Sequence, residues 1–344
     1  MGGDCHKRSH TLVAVDEAGS QVGARQVAAT GAGHLEALTW ARQWPERRWA
    51  LENCRPLSRA LERDLLSAGE VVVQVSPRLM GMARRSTRER GKSDPIDALA
   101  TARAAIREPH LPVAQLEGKA RELKLLVDHR EDLVGERTRI QNRLRWDLHE
   151  LEPGMEICPR GLVRKVVLAE VRRRLKKHEG VVAELALDRT TRLAELTRSV
   201  DGLERRIAAL VAAMAPSLLR LPGCGPLSAA KLVAETADVR RFHSSAAYAM
   251  HNGTAPIPVW SGNRERHRLN RGGNRQLNAA LHRIAITQIR LGGDASTYVA
   301  RRLSLGNTKT EAIRALRRRL SDEVYRRLWD DSRELPTSAR KVAA

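Results

Sequence analysis

Asp94 and Asp97 are the residues whose spacing most directly suggests chemistry. They stand at i and i+3 at the predicted start of a helix, so both carboxylates lie on one helix face. Carboxylates about 4 Å apart repel each other, and a site that gathers several of them needs a cation or must protonate one. Mg²⁺ or Mn²⁺ suits such a site because it leaves coordination positions for water and phosphate oxygens. A structural interpretation stays open: Asp94 can cap the helix ahead of Pro95, and Asp97 can complement the helix dipole.

Two further acids accompany predicted strands. Asp4 lies at the end of a possible first strand, and Glu52 ends the strand Arg48–Glu52. In a sheet that begins with a hairpin, these strand ends can converge on the helix that carries Asp94 and Asp97. Taken singly, each acid is expected at the surface.

The N-terminal part predicts a mixed α/β sheet, because a strand pair joined by a Gly-containing turn precedes strand–helix–strand units. The predicted strands are His10–Asp16, Gln21–Ala28, Arg48–Glu52 and Glu70–Val75. The predicted helices are Gly31–Trp44, Pro56–Ala68 and Asp94–Arg107. Glu108-Pro109 ends the last of these helices.

The middle of the chain is long and helical. Leu116–Leu151 carries a near-heptad leucine pattern, and after a break at Pro153–Gly161 a basic helix, Arg164–His178, follows. A second pattern advances in steps of three and four through Leu193, Leu196, Val200, Leu203, Ile207, Leu210 and Met214. This seam predicts an antiparallel helical hairpin or an intermolecular coiled coil, and both packing within the chain and dimerisation stay open.

The C-terminal part begins with Leu221–Pro226, a turn that resembles a helix-hairpin-helix element. Its Gly223 and Gly225 would let the backbone approach a phosphate, with free amides at the next helix start. An ordinary Pro/Gly connection is the alternative. The predicted helices are Leu227–Thr236, Ser244–His251 and Asn274–Leu291, with an irregular basic stretch, Asn252–Gly273, before the last and an Arg-rich tail at the end.

Ser261 lies in that irregular stretch among many cationic side chains. These are Arg264, Arg266, His267, Arg268, Arg271 and Arg275. A hydroxyl nucleophile needs a base, a metal or dense positive charge near the phosphate, and the sequence supplies the charge. From the residues alone, Ser261-Gly262 is an ordinary turn and the arginines are phosphate contacts. His267 is either a proton carrier or a solvated loop residue.

The charge of the chain favours a polyanionic partner. Lys and Arg total 61 against 40 Asp and Glu, a net charge of +21, and cations that neutralise phosphates release condensed counterions. Aromatic residues make up 3%, which argues against extensive base stacking. The four cysteines form no C-x-x-C pair, so neither a zinc ribbon nor a disulfide framework is indicated. Without a membrane-spanning run or signal peptide, a cytoplasmic, nucleoid-associated protein is expected.

Several ordered motifs resemble the DEDD transposases of the bridge-RNA-guided insertion sequences. The N-terminal ones are Asp4 before a strand pair, Glu52 after a strand, and Lys92-Ser93-Asp94-Pro95-Ile96-Asp97-Ala98. The C-terminal ones are Leu221-Pro222-Gly223-Cys224-Gly225-Pro226, Arg241-Phe242, Trp260-Ser261-Gly262 and Gly273-Asn274. The resemblance extends from about residue 2 to residue 291.

The resemblance implies a RuvC-like, ribonuclease-H-type N-terminal domain that holds Mg²⁺ through Asp4, Glu52, Asp94 and Asp97. It further implies that Ser261 is a nucleophile, and that the metal site and the serine form one composite centre across two domains. A structured guide RNA encoded by the element, DNA ends and target, and a homo-oligomer (dimer or tetramer) are the implied partners.

The expected organisation is therefore α/β plus α. Residues 1–112 are the RuvC-like nuclease domain, 113–215 a helical coiled-coil region, 216–330 a mainly helical C-terminal transposase domain, and 331–344 a basic tail. The expected function is DNA cleavage and rejoining for insertion and excision of a mobile element. Two alternatives stay open: a RuvC-like junction resolvase that uses metal-bound water, and an inactive transposase relic that only binds nucleic acid.

Overall fold

A computed structural model describes most of the chain. The described residues are 1–52, 55–85, 93–108, 111, 113–114, 118–158, 160–262, 264–270 and 272–334, with the backbone alone for 55–56, 77–78, 84–85, 261, 264–266 and 334. The chain folds into two compact units, Met1–Glu117 and Gly118–Pro336. Each unit has its own hydrophobic core.

The first unit is a five-stranded mixed sheet covered by helices on both faces. Its strands are β1 (Gly2–Cys5), β2 (Ser9–Val15), β3 (Gln21–Ala28), β4 (Trp49–Glu52) and β5 (Val72–Val75). Its helices are α1 (Gly31–Ala41), α2 (Arg55–Ser67), α3 (Pro77–Arg85) and α4 (Asp94–Arg107). The strand order is β3-β2-β1-β4-β5, with β1–β2–β3 antiparallel and β1, β4 and β5 parallel. The prediction of a mixed α/β sheet is confirmed.

Alternation along the strands assigns each face of the sheet to its helices. Trp49 and Leu51 are buried in a core that includes residues of α1 and α2, whereas Ala50 is buried against residues of α3 and α4. Because side chains on a strand alternate between faces, Glu52 belongs to the same face as Ala50. Glu52, the last residue of β4, therefore lies on the sheet face that packs against α4.

Gly2 allows α4 to cross β1 at close range. A Cβ atom at Gly2 would lie 2.1 Å from the Ala98 carbonyl oxygen and 2.5 Å from the Ala102 nitrogen. Both of these are backbone atoms of α4, so a side chain there can be accommodated only if the helix moves. The close approach brings the first turn of α4 to the end of β1.

We expect the substitution Gly2→Ala to destabilise the first unit by about 3 kcal/mol, at the upper end of ordinary overpacking costs. The matched control is Gly31→Ala at the start of α1, where an added Cβ would have no atom within 4 Å. That variant should stay within about 0.5 kcal/mol of the wild type. Urea unfolding followed by circular dichroism measures both, and equal stability of the two variants would contradict the close packing of α4 on β1.

The second unit is helical apart from one hairpin in its described part. Its helices are α5 (Lys119–Leu151), α6 (Lys165–Leu175), α7 (Val181–Met214), α8 (Pro216–Leu219), α9 (Pro226–Thr236), α10 (Ser245–Asn252), α11 (Arg275–Leu291), α12 (Asp294–Ser304) and α13 (Lys309–Glu334). The hairpin strands are β6 (Ile257–Ser261) and β7 (Arg264–Arg268). One expectation is therefore wrong: the stretch 252–273, expected to be irregular, contains a hairpin. The Arg-rich tail is helical through residue 334.

The two long helices α5 and α7 lie antiparallel. Three ion pairs join the helices: Glu122 to Arg206, Arg130 to Glu204, and Glu136 to Arg192. Residue numbers increase along α5 while those of the partners decrease along α7, so the helices run in opposite directions. In α7 the seam residues Leu193, Leu196, Val200 and Ile207 are buried. These seam residues are buried within one chain, as the hairpin alternative predicts. Dimerisation through the same region stays a prediction.

Candidate active site

Asp4 occupies a central position in the first unit. It lies on β1, the middle strand of the sheet, opposite Thr11 of β2. Because Gly2 faces α4 and strand positions alternate, Asp4 also faces α4. Asp4 is buried, with 8% of its surface exposed.

The first turn of α4 brings two more carboxylates to this point. Asp94 begins the helix, and Asp97 is buried one turn later. Ser93, rather than Asp94, is the N-cap residue, and its side chain makes no capping hydrogen bond. The capping interpretation of Asp94 is therefore wrong.

His6 links the two segments. Its Nε2 atom lies 3.1 Å from Oδ2 of Asp4 and 3.3 Å from Oδ1 of Asp94. Ligand atoms of Asp4, His6 and Asp94 all lie within 4.8 Å of one another. Among the described residues, this is the one group of at least three His, Cys, Asp or Glu side chains that lie close enough together to share a metal ion.

The electrostatics of the group agree with a cation site. Burial raises the pKa of Asp4; the neighbouring His6 opposes this, and the charges of Asp97 and Asp94 add to the increase. Burial tends to lower the pKa of His6, but the carboxylates of Asp4 and Asp94 outweigh it, so the His6 pKa is raised. The carboxylates of Asp4 and Asp94 thus lie close together at the partly exposed edge of the sheet, where a divalent ion would neutralise them. The donor set of two carboxylates and an imidazole fits such an ion.

Glu52 lies on the strand next to Asp4. The parallel register pairs Gly2 with Ala50 and Gly3 with Leu51, so the next positions on the two strands are Asp4 and Glu52. Glu52 is half-buried and belongs to the α4 face of the sheet. Among the described residues, the group whose ligand atoms lie within 4.8 Å of one another consists of Asp4, His6 and Asp94, and it does not include Glu52. The structure thus brings Asp4 and Asp94 together with His6, and Asp97 is near enough for its charge to raise the pKa of Asp4. Glu52 lies at the neighbouring strand end.

Sequence reasoning missed His6. The residue follows Asp4 at i+2, and in an extended chain this spacing puts two side chains on the same side. Cys5 between them is buried in the core on the opposite face. The Asp-x-His spacing after a strand is the signal that could have identified it.

Ser261 lies in the second unit, as the last residue of β6. It pairs in register with Arg264, and Gly262 in the turn has a positive φ of 57°. Trp260 beside it is 69% exposed. Arg268 and His267 are exposed on β7, and Arg275 is exposed at the start of α11. Arg271 and the side chains of Ser261, Arg264 and Arg266 lie outside the described residues.

A buried polar network fixes the base of this hairpin. Asn252 donates through Nδ2 to Oγ of Ser321 at 2.7 Å, and its Oδ1 accepts from Oγ1 of Thr254 at 2.6 Å. On the far side of the hairpin, a Cβ at Gly273 would lie 2.3 Å from Gly253. The segments at the two ends of the hairpin therefore contact each other, and the first of them is hydrogen-bonded to α13.

The two glycines of the Leu221–Pro226 turn differ in their surroundings. Gly223 has a φ of +76° and abuts α11, where an added Cβ would lie 3.1 Å from the Ile284 carbonyl oxygen. Gly225 is the N-cap of α9 and would have open space around a Cβ. Packing against α11 thus accounts for Gly223, while Gly225 leaves the start of α9 approachable.

Comparison with known proteins decides the family. A model of the IS110-type DEDD transposase matches residues 1–153, and a model of the transposase IS116/IS110/IS902 family matches residues 215–300. The chain belongs to the IS110 family of DEDD transposases. It is an enzyme that acts as a DNA transposase.

Proteins of insertion elements resemble this transposase over almost its full length. It is 28% identical to an uncharacterized 44.8 kDa protein of insertion element IS116 from Streptomyces clavuligerus, covering 96% of this chain and 94% of the relative. It is 26% identical to an uncharacterized 42 kDa protein of IS900 from Mycobacterium paratuberculosis, covering 99% and 98%. Among the described residues, no helix has the length and apolar character to cross a bilayer.

Proposed function

We propose that this transposase cleaves and rejoins DNA with a divalent ion held by Asp4, Glu52, Asp94 and Asp97, and with Ser261 as nucleophile. The observation that carries the metal part is the group of Asp4, His6 and Asp94, whose ligand atoms lie within 4.8 Å of one another. Glu52, at the neighbouring strand end, completes the acidic set. When bound, Mg²⁺ or Mn²⁺ would supply charge neutralisation at the phosphate under attack.

In the proposed step, Ser261 Oγ forms a bond to a DNA phosphorus atom. The bond from phosphorus to the departing deoxyribose oxygen breaks, that oxygen takes up a proton, and the serine proton passes to a base. The product is a phosphoserine link, from which a DNA hydroxyl can later displace the serine. Arg264, Arg266, Arg268, Arg271 and Arg275 would contact the phosphate backbone during this exchange.

The segments of the chain have separate roles in this proposal. The segment 1–112 carries the metal site, and 216–330 carries the serine hairpin and the approachable start of α9 at Gly225. The helices of 113–215 would support a dimer or tetramer. Part of the net charge of +21 would serve a guide RNA encoded by the element, and the enzyme would act at the nucleoid.

The test uses the wild-type transposase, DNA carrying the element ends, the transcript that flanks them and Mg²⁺. We expect a protein–DNA adduct on a denaturing gel, with the phosphopeptide mapped to Ser261 by mass spectrometry. EDTA should abolish the adduct and added Mg²⁺ should restore it, because the carboxylates alone would repel the phosphate. Omission of the transcript should abolish site selection.

The alternatives give different products. A RuvC-like resolvase that uses metal-bound water would leave hydrolysed ends with no adduct, which would overturn the serine assignment. A relic would bind DNA without cleaving it at any metal concentration, which would overturn the whole proposal.

A further inference from the structure

The position of His6 in the acidic group is not explained by the four acids of the proposed site. Its Nε2 atom lies 3.1 Å from Asp4 and 3.3 Å from Asp94. One imidazole nitrogen carries at most one proton, so it cannot direct a full hydrogen bond at both carboxylates. Ligand atoms of His6, Asp4 and Asp94 all lie within 4.8 Å of one another, which is close enough for them to share one cation.

The spacing of the ligand atoms agrees with octahedral coordination. Ligands about 2.1 Å from a metal ion are about 3.0 Å apart when adjacent and about 4.2 Å apart when opposite. The distances of 3.1 Å and 3.3 Å from Nε2 are close to the adjacent value. Each carboxylate oxygen therefore lies at about the distance from the nitrogen that an adjacent ligand of the same ion would have.

We propose that His6 is a direct ligand of the divalent ion and gives the site a preference for Mn²⁺ over Mg²⁺. This inference rests on the proposed function, which places a divalent ion at Asp4 and Asp94. Imidazole nitrogen suits transition ions, whereas Mg²⁺ prefers oxygen and keeps several of its waters. Loss of the imidazole should therefore weaken Mn²⁺ binding more than Mg²⁺ binding.

The test is binding of Mn²⁺ and Mg²⁺ to the full chain without DNA, together with pulsed electron paramagnetic resonance of the Mn²⁺ complex. We expect coupling to ¹⁴N in the wild type and its loss in His6→Asn. Mn²⁺ affinity should fall at least about 10-fold, since even loss of an outer-shell partner costs that much. Mg²⁺ affinity should change less than about 3-fold, because a water can replace the imidazole.

Two further variants make the result specific. His149→Asn removes an exposed imidazole from α5 and should leave both affinities and the ¹⁴N coupling unchanged. His6→Asp replaces the nitrogen by a carboxylate, so it should bind Mg²⁺ better than His6→Asn while showing no ¹⁴N coupling. Because the His6 side chain is 47% exposed, these changes leave the core intact.

The outcomes separate this inference from the proposed function. If Mn²⁺ binds to the wild type with no ¹⁴N coupling, or the coupling survives in His6→Asn, His6 is not a ligand and the inference is overturned while the metal site stands. If neither ion binds to the wild type at millimolar concentration, the metal site itself is wrong, and both proposals fail.

Discussion

Substitution of Asp4 by Asn is expected to reduce DNA cleavage by at least about 100-fold while the protein stays folded. The carboxylate is a buried member of the proposed ion site. A bound ion supplies several kcal/mol of charge stabilisation, and each 1.36 kcal/mol is worth a factor of ten in rate. Asn has the same shape but no negative charge, so it binds the ion poorly.

The same substitution should preserve or raise the thermal stability of the metal-free protein. Burial and the charges of Asp97 and Asp94 raise the pKa of Asp4, whereas His6 opposes the increase. A carboxyl group with a raised folded-state pKa favours folding most when it is protonated, and its ionisation opposes folding as pH rises through that pKa. At neutral pH, Asn removes this cost.

Cleavage assays and thermal unfolding on the same preparations check both parts. Asp201→Asn, an exposed position on α7, is the control and should match the wild type in both assays. Full cleavage activity in Asp4→Asn would exclude Asp4 from the metal site. Loss of activity together with unfolding would show that the carboxylate has a structural role instead.

Substitution of Ser261 by Ala is expected to abolish the protein–DNA adduct and to reduce strand exchange by about 10⁴-fold or more. Without the covalent nucleophile, only the residual catalysis by the rest of the site remains. DNA affinity should change less than about 2-fold, because phosphate contacts from arginines determine it. Electrophoretic mobility shift and adduct trapping measure the two effects separately.

Ser199→Ala provides the matched control, because it removes an exposed hydroxyl from α7 and should leave both measurements unchanged. A Ser261→Ala variant that still cuts DNA at full rate would exclude the serine as nucleophile. In that case metal-dependent hydrolysis becomes the correct reaction, and the acidic group keeps its assignment.

Local patterns in the sequence were sufficient for most of the regular elements. The apolar run of β2 predicted a strand, and the structure has it at Ser9–Val15, one residue from the predicted bounds. The three-and-four spacing from Leu193 to Met214 comes from the period of a helix, and it lies inside α7. The hairpin β6–β7 escaped prediction because Arg264–Arg268 has no apolar alternation. The contacts around its ends, the buried network at Asn252 and the approach of Gly273 to Gly253, join residues that are distant in sequence.

The sequence by itself determined the acidic residue types, the helix start at Asp94 and the excess of positive charge. Only the tertiary structure decided that Asp4 and Asp94 meet, because their approach depends on the crossing of α4 over β1 at Gly2. His6 belongs to the group for the same reason. Its imidazole contacts Asp4, which is two residues away in the sequence, and Asp94, which is far away in the sequence. Only the fold brings these two carboxylates to the same imidazole.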